Sequence, residues 1–190
     1  MNILKSIFNL VNNGHPKEPV VGITNETADC FYVPFIDYDR TAFDCVLKDL
    51  HHLHKIFGCC MFVILQSSKE EIIQNINDAN LVANYHVIGL DKMIYHSHLE
   101  MLKHTRCDWR NIYRRPPYSA RNWVLRVSKK HDKPAPEFVK LVKFSDKCSY
   151  QHSLAHLLWL QKMYSIKELN YSTLDFDANK DIEMIEYMTK

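Results

Sequence analysis

Residues 30–39 read Cys-Phe-Tyr-Val-Pro-Phe-Ile-Asp-Tyr-Asp, an apolar run that ends in two acidic residues. The run predicts a buried β-strand over residues 30–38. Pro34 favours a bulge or a sheet edge, because proline has no N–H to donate across a sheet. Since side chains alternate along a strand, Asp37 and Asp39 are expected on the same face, near its exposed end.

A helix is predicted directly after this strand. Its apolar residues recur at intervals of three and four: Phe43, Val46, Leu47, Leu50, Leu53 and Phe57. Gly58 follows at a position typical of a helix end. Residues 59–65 and 84–90 are apolar runs of strand length, and the polar stretch 66–80 between them could hold a short helix.

The two ends of the chain are predicted to add helices to this core. Residues 3–11 carry apolar side chains at helical spacing, and an Asn-Asn-Gly segment then begins a linker that runs to about residue 28. Residues 150–169 form another helical pattern, followed by an acidic tail. Shorter patterns predict a helix over 97–104 and strands over 122–127 and 138–144.

Strands separated by helices in this order predict an α+β fold, in which one mixed sheet is covered by helices. A chain of 190 residues with 46% hydrophobic side chains can bury one core. We expect three segments: an N-terminal helix and linker over 1–27, an α/β core over 28–147, and a C-terminal helix with its tail over 148–190.

The charge of the chain is distributed unevenly. Residues 103–147 hold thirteen Lys and Arg against four acidic residues, a balance of 13 − 4 = +9, whereas the whole chain carries +2. The same stretch contains Trp109, Tyr113, Tyr118 and Trp123. A basic surface with aromatic side chains is typical of nucleic-acid contact, through phosphates and through stacking on bases. The alternative is an ordinary solvated basic face.

The cysteines and the hydropathy of the chain indicate where it works. Six cysteines without a C-x-x-C pair predict neither a zinc ribbon nor a disulfide framework, so reduced thiols are expected. No apolar run reaches the roughly 18 residues of a membrane helix, and the first residues lack the pattern of a secretory signal. We therefore expect no membrane contact and a cytoplasmic location.

Asp37 and Asp39 form a candidate site for Mg²⁺ or Mn²⁺. These hard cations prefer oxygen ligands and commonly complete their coordination with water and substrate phosphates. The alternative is that one carboxylate only caps the helix that begins near Thr41. His86, which shares a strand face with Asn84, could donate to a phosphate oxygen or could be a structural histidine.

Basic residues near a later strand are candidate phosphate ligands: Arg121, Arg126, Lys129 and Lys130. Arginine suits this task because its planar fork meets two phosphate oxygens at once. Arg126 interrupts an apolar run, so its guanidinium needs an anion if it is buried. That anion is either a phosphate or an internal carboxylate.

The order of these elements resembles the catalytic core of the archaeo-eukaryotic primases, the primase-polymerase superfamily. The family has an apolar strand with Asp-x-Asp, then Ser-x-His, then an apolar residue followed by Asp. Here Phe35-Ile36-Asp37-Tyr38-Asp39 and Asn84-Tyr85-His86 match the first two motifs, with Asn84 in place of serine, and Cys107-Asp108 the third. Eukaryotic-type members continue with a segment similar to residues 118–130, Tyr-Ser-Ala-Arg-Asn-Trp-Val-Leu-Arg-Val-Ser-Lys-Lys.

The resemblance implies an RRM-like sheet and metal-dependent nucleotidyl transfer from nucleoside triphosphates on a single-stranded DNA or RNA template. Asp37, Asp39 and Asp108 would then hold Mg²⁺ or Mn²⁺. The nucleotide would contact His86, Asn84, Arg126 and Lys129, and the template would contact Arg114, Arg115, Arg121 and Lys130. A helicase or another replication protein is the expected partner, in a minimal system such as a mobile element.

Other functions are also compatible with the sequence. Rolling-circle endonucleases combine a histidine-bearing strand with a catalytic tyrosine, and Tyr164-Ser165-Ile166-Lys167 fits their Tyr-x-x-Lys pattern. Against that class, we expect Tyr164 in the core and the pair His96 and His98 at the surface. A nucleic-acid-binding protein without a metal site is another alternative. A zinc site at His51 and His54 lacks evident further ligands.

Overall fold

The chain folds into two antiparallel sheets and three helices within the residues that its computed structural model describes, which are 7–8, 20–74, 79–107, 123–130, 133–145, 148, 150–166 and 168–169. The strands are β1 (Ile7–Phe8), β2 (Val20–Thr24), β3 (Phe35–Thr41), β4 (Met61–Gln66), β5 (Glu71–Gln74), β6 (Ala79–Gly89), β7 (Val124–Arg126) and β8 (Glu137–Lys143). The helices are α1 (Phe43–Phe57), α2 (Tyr95–Lys103) and α3 (Leu154–Tyr164). The predicted α+β class is therefore confirmed.

The larger sheet has the strand order β3-β6-β4-β8, and β5 pairs with β6 outside this path. Both β3 and β4 pair antiparallel with β6, which lies between them, so β3 and β4 run in the same direction. Helix α1 connects these two strands, which makes a split β-α-β unit. The smaller sheet has the order β1-β2-β7 and carries Arg126 on its last strand.

The hydrophobic core is centred on β4, which lies between β6 and β8 in the larger sheet. Phe62, Val63, Ile64 and Leu65 are fully buried, as expected of a strand that is covered on both faces. Helix α1 packs its predicted apolar stripe inward, with Val46, Leu50 and Leu53 fully buried. The strand, helix and strand predicted over residues 30–65 are thus confirmed, with bounds that shift by a few residues.

Helix α1 ends at Gly58 in the left-handed conformation, with a φ of 72° and its N–H donated to the His54 carbonyl. A side chain is strained at this φ, whereas glycine is not. We expect Gly58→Ala to lower the free energy of unfolding by about 1 kcal/mol, measured by urea denaturation. Lys55→Ala, at an exposed position in the same helix, is the control; an equal loss there would contradict the backbone explanation.

Several local predictions are wrong. The helix predicted over 3–11 is not formed at Ile7–Phe8, which is a strand paired with Val20 and Val21. The predicted linker contains β2, whose residues pair with β7. In the described part of the stretch 66–80, which leaves out residues 75–78, strand β5 forms at Glu71–Gln74 and there is no helix. In each case pairing with a neighbouring strand decides the local structure, and short apolar runs do not reveal that pairing.

Strand β7 and helix α3 follow their predictions more closely. The strand predicted over 122–127 forms at Val124–Arg126, and Trp123, Leu125 and Val127 are buried. Helix α3 is shorter than the predicted range 150–169 and begins at a Ser153 cap. No helix in the described part of the chain is long and apolar enough to cross a membrane.

His156 anchors helix α3 to the smaller sheet. Its Nδ1 lies 2.7 Å from the Ser153 hydroxyl and its Nε2 lies 2.9 Å from the Thr24 carbonyl oxygen. The ring also meets Phe35 edge to face. Burial lowers the pKa of His156 to about 4, against the opposing effect of the Thr24 hydrogen bond, so the imidazole stays neutral at neutral pH.

This neutral histidine makes stability depend on pH. As pH falls below 6.5, His156 is protonated in the unfolded chain but stays neutral in the folded chain until about pH 4. The free energy of unfolding therefore decreases between pH 6.5 and pH 4. His156→Gln keeps a donor for Thr24 but does not titrate. Between pH 6.5 and 4, we expect the free energy of unfolding of this variant to fall less steeply than that of the wild type. The two slopes should differ by up to about 1.4 kcal/mol per pH unit. Parallel curves for the two proteins would contradict this assignment.

Candidate active site

Asp37 and His86 meet on the face of the larger sheet that lies opposite helix α1. They are direct register partners of β3 and β6, and the Asp37 Oδ1 lies 3.6 Å from the His86 Nε2. The neighbouring pair in the ladder, Tyr38 and Tyr85, is buried, and the Tyr85 ring contacts Phe43 of α1. Because side chains alternate, Asp37 and His86 project away from that helix.

The two members of this pair differ in exposure. The Asp37 side chain is 33% exposed, whereas the His86 side chain is 8% exposed. Burial, together with the positive charges of Arg126 and Lys133, lowers the pKa of His86 to about 4, against the opposing effect of a hydrogen bond with the Arg126 backbone. His86 is therefore a neutral imidazole at neutral pH, able to donate one hydrogen bond without carrying charge.

Arg126 brings a fixed positive charge to the pair from the smaller sheet. Its guanidinium donates to the backbone carbonyls of Ser67, Ser128 and Pro134. Partial burial lowers its pKa, and the Asp37 carboxylate opposes that shift. The three carbonyls thus hold the guanidinium in place, and the negative charge of Asp37 favours its charged form.

The other predicted residues of the described part lie around this pair. Asp39 is exposed and lies with Arg40 in a bulge between Tyr38 and Thr41, where Arg40 has a φ of 45°. The Asn84 side chain accepts a hydrogen bond from the Arg40 N–H at 2.8 Å, so it holds the bulge. Lys129 is exposed, and Lys130 forms a bridge with Lys133. Asp108, Arg114, Arg115 and Arg121 lie outside the described residues.

Neither aspartate caps helix α1. The cap residue is Ala42, without a side-chain hydrogen bond, so the alternative explanation for Asp37 and Asp39 is wrong. Basic residues of the stretch 103–147 are partly committed elsewhere: Lys103 pairs with Glu100, and Arg106 pairs with Asp49. Only some of the predicted basic surface is therefore available to a ligand.

Tyr164 was expected in the core, and it is partly buried against it. It also lies close enough to Arg126 for each residue to shift the pKa of the other. Its hydroxyl is buried and has no hydrogen-bond partner within the described residues. Burial raises the pKa of Tyr164 to about 12, against the lowering effect of Arg126. The sequence alone did not place this tyrosine, or Lys133, beside the predicted site.

Two histidine predictions have clear outcomes. The expectation that His98 lies at the surface is wrong: it is fully buried, accepts a hydrogen bond from the Phe35 N–H and meets the Trp123 ring. His96 is exposed, as expected. His54 stacks on Phe144 and contacts the Cys59 carbonyl, so it packs the core.

A second cluster of metal-binding side chains was not predicted. Single ligand atoms of Cys60, Asp91 and Cys148 all lie within 4.8 Å of one another, so this group could hold a metal ion. Asp91 is fully buried, and burial raises its pKa to about 6 even though its Oδ2 accepts hydrogen bonds from the Cys60 and Met61 N–H groups. The three residues are distant in sequence, so no spacing motif reveals them.

No protein-family model, no curated protein and no solved structure matches the chain.

Proposed function

We propose that this protein binds single-stranded nucleic acid and performs divalent-metal-dependent nucleotidyl transfer at the Asp37/His86 pair, as a small primase-polymerase with an RRM-like core. The observation that carries the proposal is the register of β3 and β6. It brings the partly exposed Asp37 carboxylate to 3.6 Å from the buried, neutral His86 imidazole, near the charge of Arg126. A carboxylate can hold a divalent metal ion, and an imidazole and a guanidinium can donate hydrogen bonds to the phosphates of a metal-bound triphosphate.

The carboxylates fit a hard cation. Asp37 and Asp39 offer oxygen ligands at alternate positions of one strand end, and both are at least partly exposed. Asp108 is the third ligand implied by the resemblance. Mg²⁺ or Mn²⁺, when bound, would neutralise phosphate charge and assist the attacking 3′-hydroxyl.

The surrounding residues have distinct roles in this proposal. Neutral His86 donates to a phosphate oxygen of the incoming nucleoside triphosphate, while Asn84 keeps the bulge that sets the end of β3. Arg126, whose guanidinium is already held by three carbonyls, presents a fixed positive charge to the triphosphate. The exposed Lys129 adds a second positive charge. Arg114, Arg115, Arg121 and Lys130 bind the template backbone, with an affinity that falls as salt rises.

The test measures incorporation of labelled nucleotides on primed and unprimed single strands, with and without added Mn²⁺. The wild type is compared with Asp37→Ala/Asp39→Ala, and Asp44→Ala in α1 is the matched control. We expect activity that requires added metal and that the double variant lacks. Equal activity in the wild type and the double variant would remove the catalytic assignment. Salt-sensitive binding without any incorporation would identify a binding protein.

A nicking endonuclease is the second candidate function, because the buried Tyr164 hydroxyl lacks a partner within the described residues and lies near Arg126. In that mechanism the Tyr164 oxygen would attack a phosphodiester and form a covalent protein–DNA adduct. We expect Tyr164→Phe to leave nucleotide incorporation at the wild-type rate. If the variant instead loses both DNA nicking and the adduct, while the wild type shows them, the endonuclease function is the correct one.

A further inference from the structure

The end of β6 carries a buried carboxylate that needs a positive partner. Asp91 is the second residue after β6 and is fully buried. Its Oδ1 has no hydrogen-bond partner within the described residues. An isolated carboxylate in a protein interior is strongly unfavourable unless a proton, a cation or a metal ion compensates it. Asp91 therefore marks a place where an ion would stabilise the fold.

The groups around Asp91 are soft metal ligands. The Cys60 and Cys148 sulfurs and an Asp91 oxygen lie within 4.8 Å of one another. The Nε2 of His152, which is 1% exposed, lies 3.8 Å from the Asp91 Oδ1. The two thiols and the carboxylate supply three ligands, and the His152 imidazole lies next to the carboxylate, where it can complete a tetrahedral set. Thiolate ligands favour Zn²⁺ over Mg²⁺.

The backbone holds these ligands in place. Asp91 and His152 form an antiparallel bridge, the Lys92 N–H donates to the Gln151 carbonyl at 2.7 Å, and the Ser153 N–H donates to the Leu90 carbonyl at 2.8 Å. On the other side, the Phe144 N–H donates to the Cys60 carbonyl at 2.9 Å. Three distant segments thus meet at one point through hydrogen bonds that do not involve the ligand atoms.

We propose that Cys60, Asp91, Cys148 and His152 bind one structural Zn²⁺ ion, which ties the β4 and β6 ends to the segment before helix α3. Binding releases the thiol protons to solvent and forms four metal–ligand bonds without any change in oxidation state. With His152 as the fourth ligand, protein side chains would fill all four positions, which is the pattern of a structural site and not of a catalytic one. The ion is separate from the Mg²⁺ or Mn²⁺ proposed at Asp37, and this inference stands without that function.

The first experiment measures metal content of the full chain, purified without chelator, by mass spectrometry. We expect about one zinc per chain in the wild type and in Cys45→Ser, a cysteine of α1 outside the cluster. We expect Cys148→Ser and Asp91→Asn to lose most of it and to melt at least about 5 °C lower. Equal zinc in Cys148→Ser and Cys45→Ser, or no zinc in the wild type, would overturn the proposal.

A second measurement does not depend on how the variants fold. Wild-type protein stripped of metal and titrated with Co²⁺ should show the intense visible bands of tetrahedral cobalt and a thiolate charge-transfer band, saturating at about one equivalent. Zn²⁺ should displace both signals. Absence of these bands would contradict the site. A disulfide between Cys60 and Cys148, detected by peptide mapping of the unreduced chain, would also contradict it.

Discussion

Asp37→Asn should lower the rate of nucleotide incorporation by about a hundredfold or more, because it removes a carboxylate that lies 3.6 Å from the His86 imidazole and favours the charged form of Arg126. Asparagine has nearly the shape of aspartate, so the β3 and β6 pairing and the burial of Tyr38 should be retained. The loss should appear in kcat, measured by single-turnover kinetics at saturating Mn²⁺ and nucleotide.

The control for this variant is Asp44→Asn, an exposed carboxylate in the first turn of α1. Removing the negative charge there should leave incorporation unchanged, since α1 covers the other face of the sheet. Two outcomes would oppose the role given to Asp37: full activity in Asp37→Asn, or a similar loss in both variants.

Phe62→Ala should lower the free energy of unfolding by about 3–5 kcal/mol, because a large ring is removed from the centre of the core. Phe62 is fully buried on β4, between β6 and β8, and its ring contacts Phe144 edge to face. Neighbouring strands are fixed by their ladders, so the structure can relax only partly into the space left behind.

Urea denaturation measures this loss, and Phe138→Ala provides the comparison. Phe138 lies on the outer strand β8 and is 36% exposed, so its truncation should cost less than about 1 kcal/mol. Similar losses for the two variants would show that β4 is not the centre of the core.

The sequence predicts those elements whose local pattern and tertiary contacts agree. Helix α1 has both an apolar stripe and a terminal glycine, and β4 is an apolar run of strand length; both form as expected. The Ile7–Phe8 segment shows the opposite case. Its residues fit a helical spacing, but pairing with Val20 and Val21 makes it a strand, and that contact is invisible in a short local pattern.

The candidate active site was predictable in part. Family resemblance placed Asp37 and His86 in one site, and the register of β3 with β6 brings them together. Lys133 lowers the pKa of His86, and Tyr164 raises the pKa of Arg126. Neither residue belongs to a recognisable motif for this site, because one lies in a loop and the other at a helix end. The cluster of Cys60, Asp91 and Cys148 combines three segments, so only the folded chain reveals it.

The measurement that most directly tests the central proposal is anomalous X-ray scattering at the manganese edge, from crystals grown with Mn²⁺ and a non-hydrolysable nucleoside triphosphate. The proposal predicts a manganese peak roughly 2.2 Å from an Asp37 carboxylate oxygen, with the triphosphate beside His86 and Arg126. A well-ordered triphosphate bound elsewhere, with no manganese at Asp37, would contradict it.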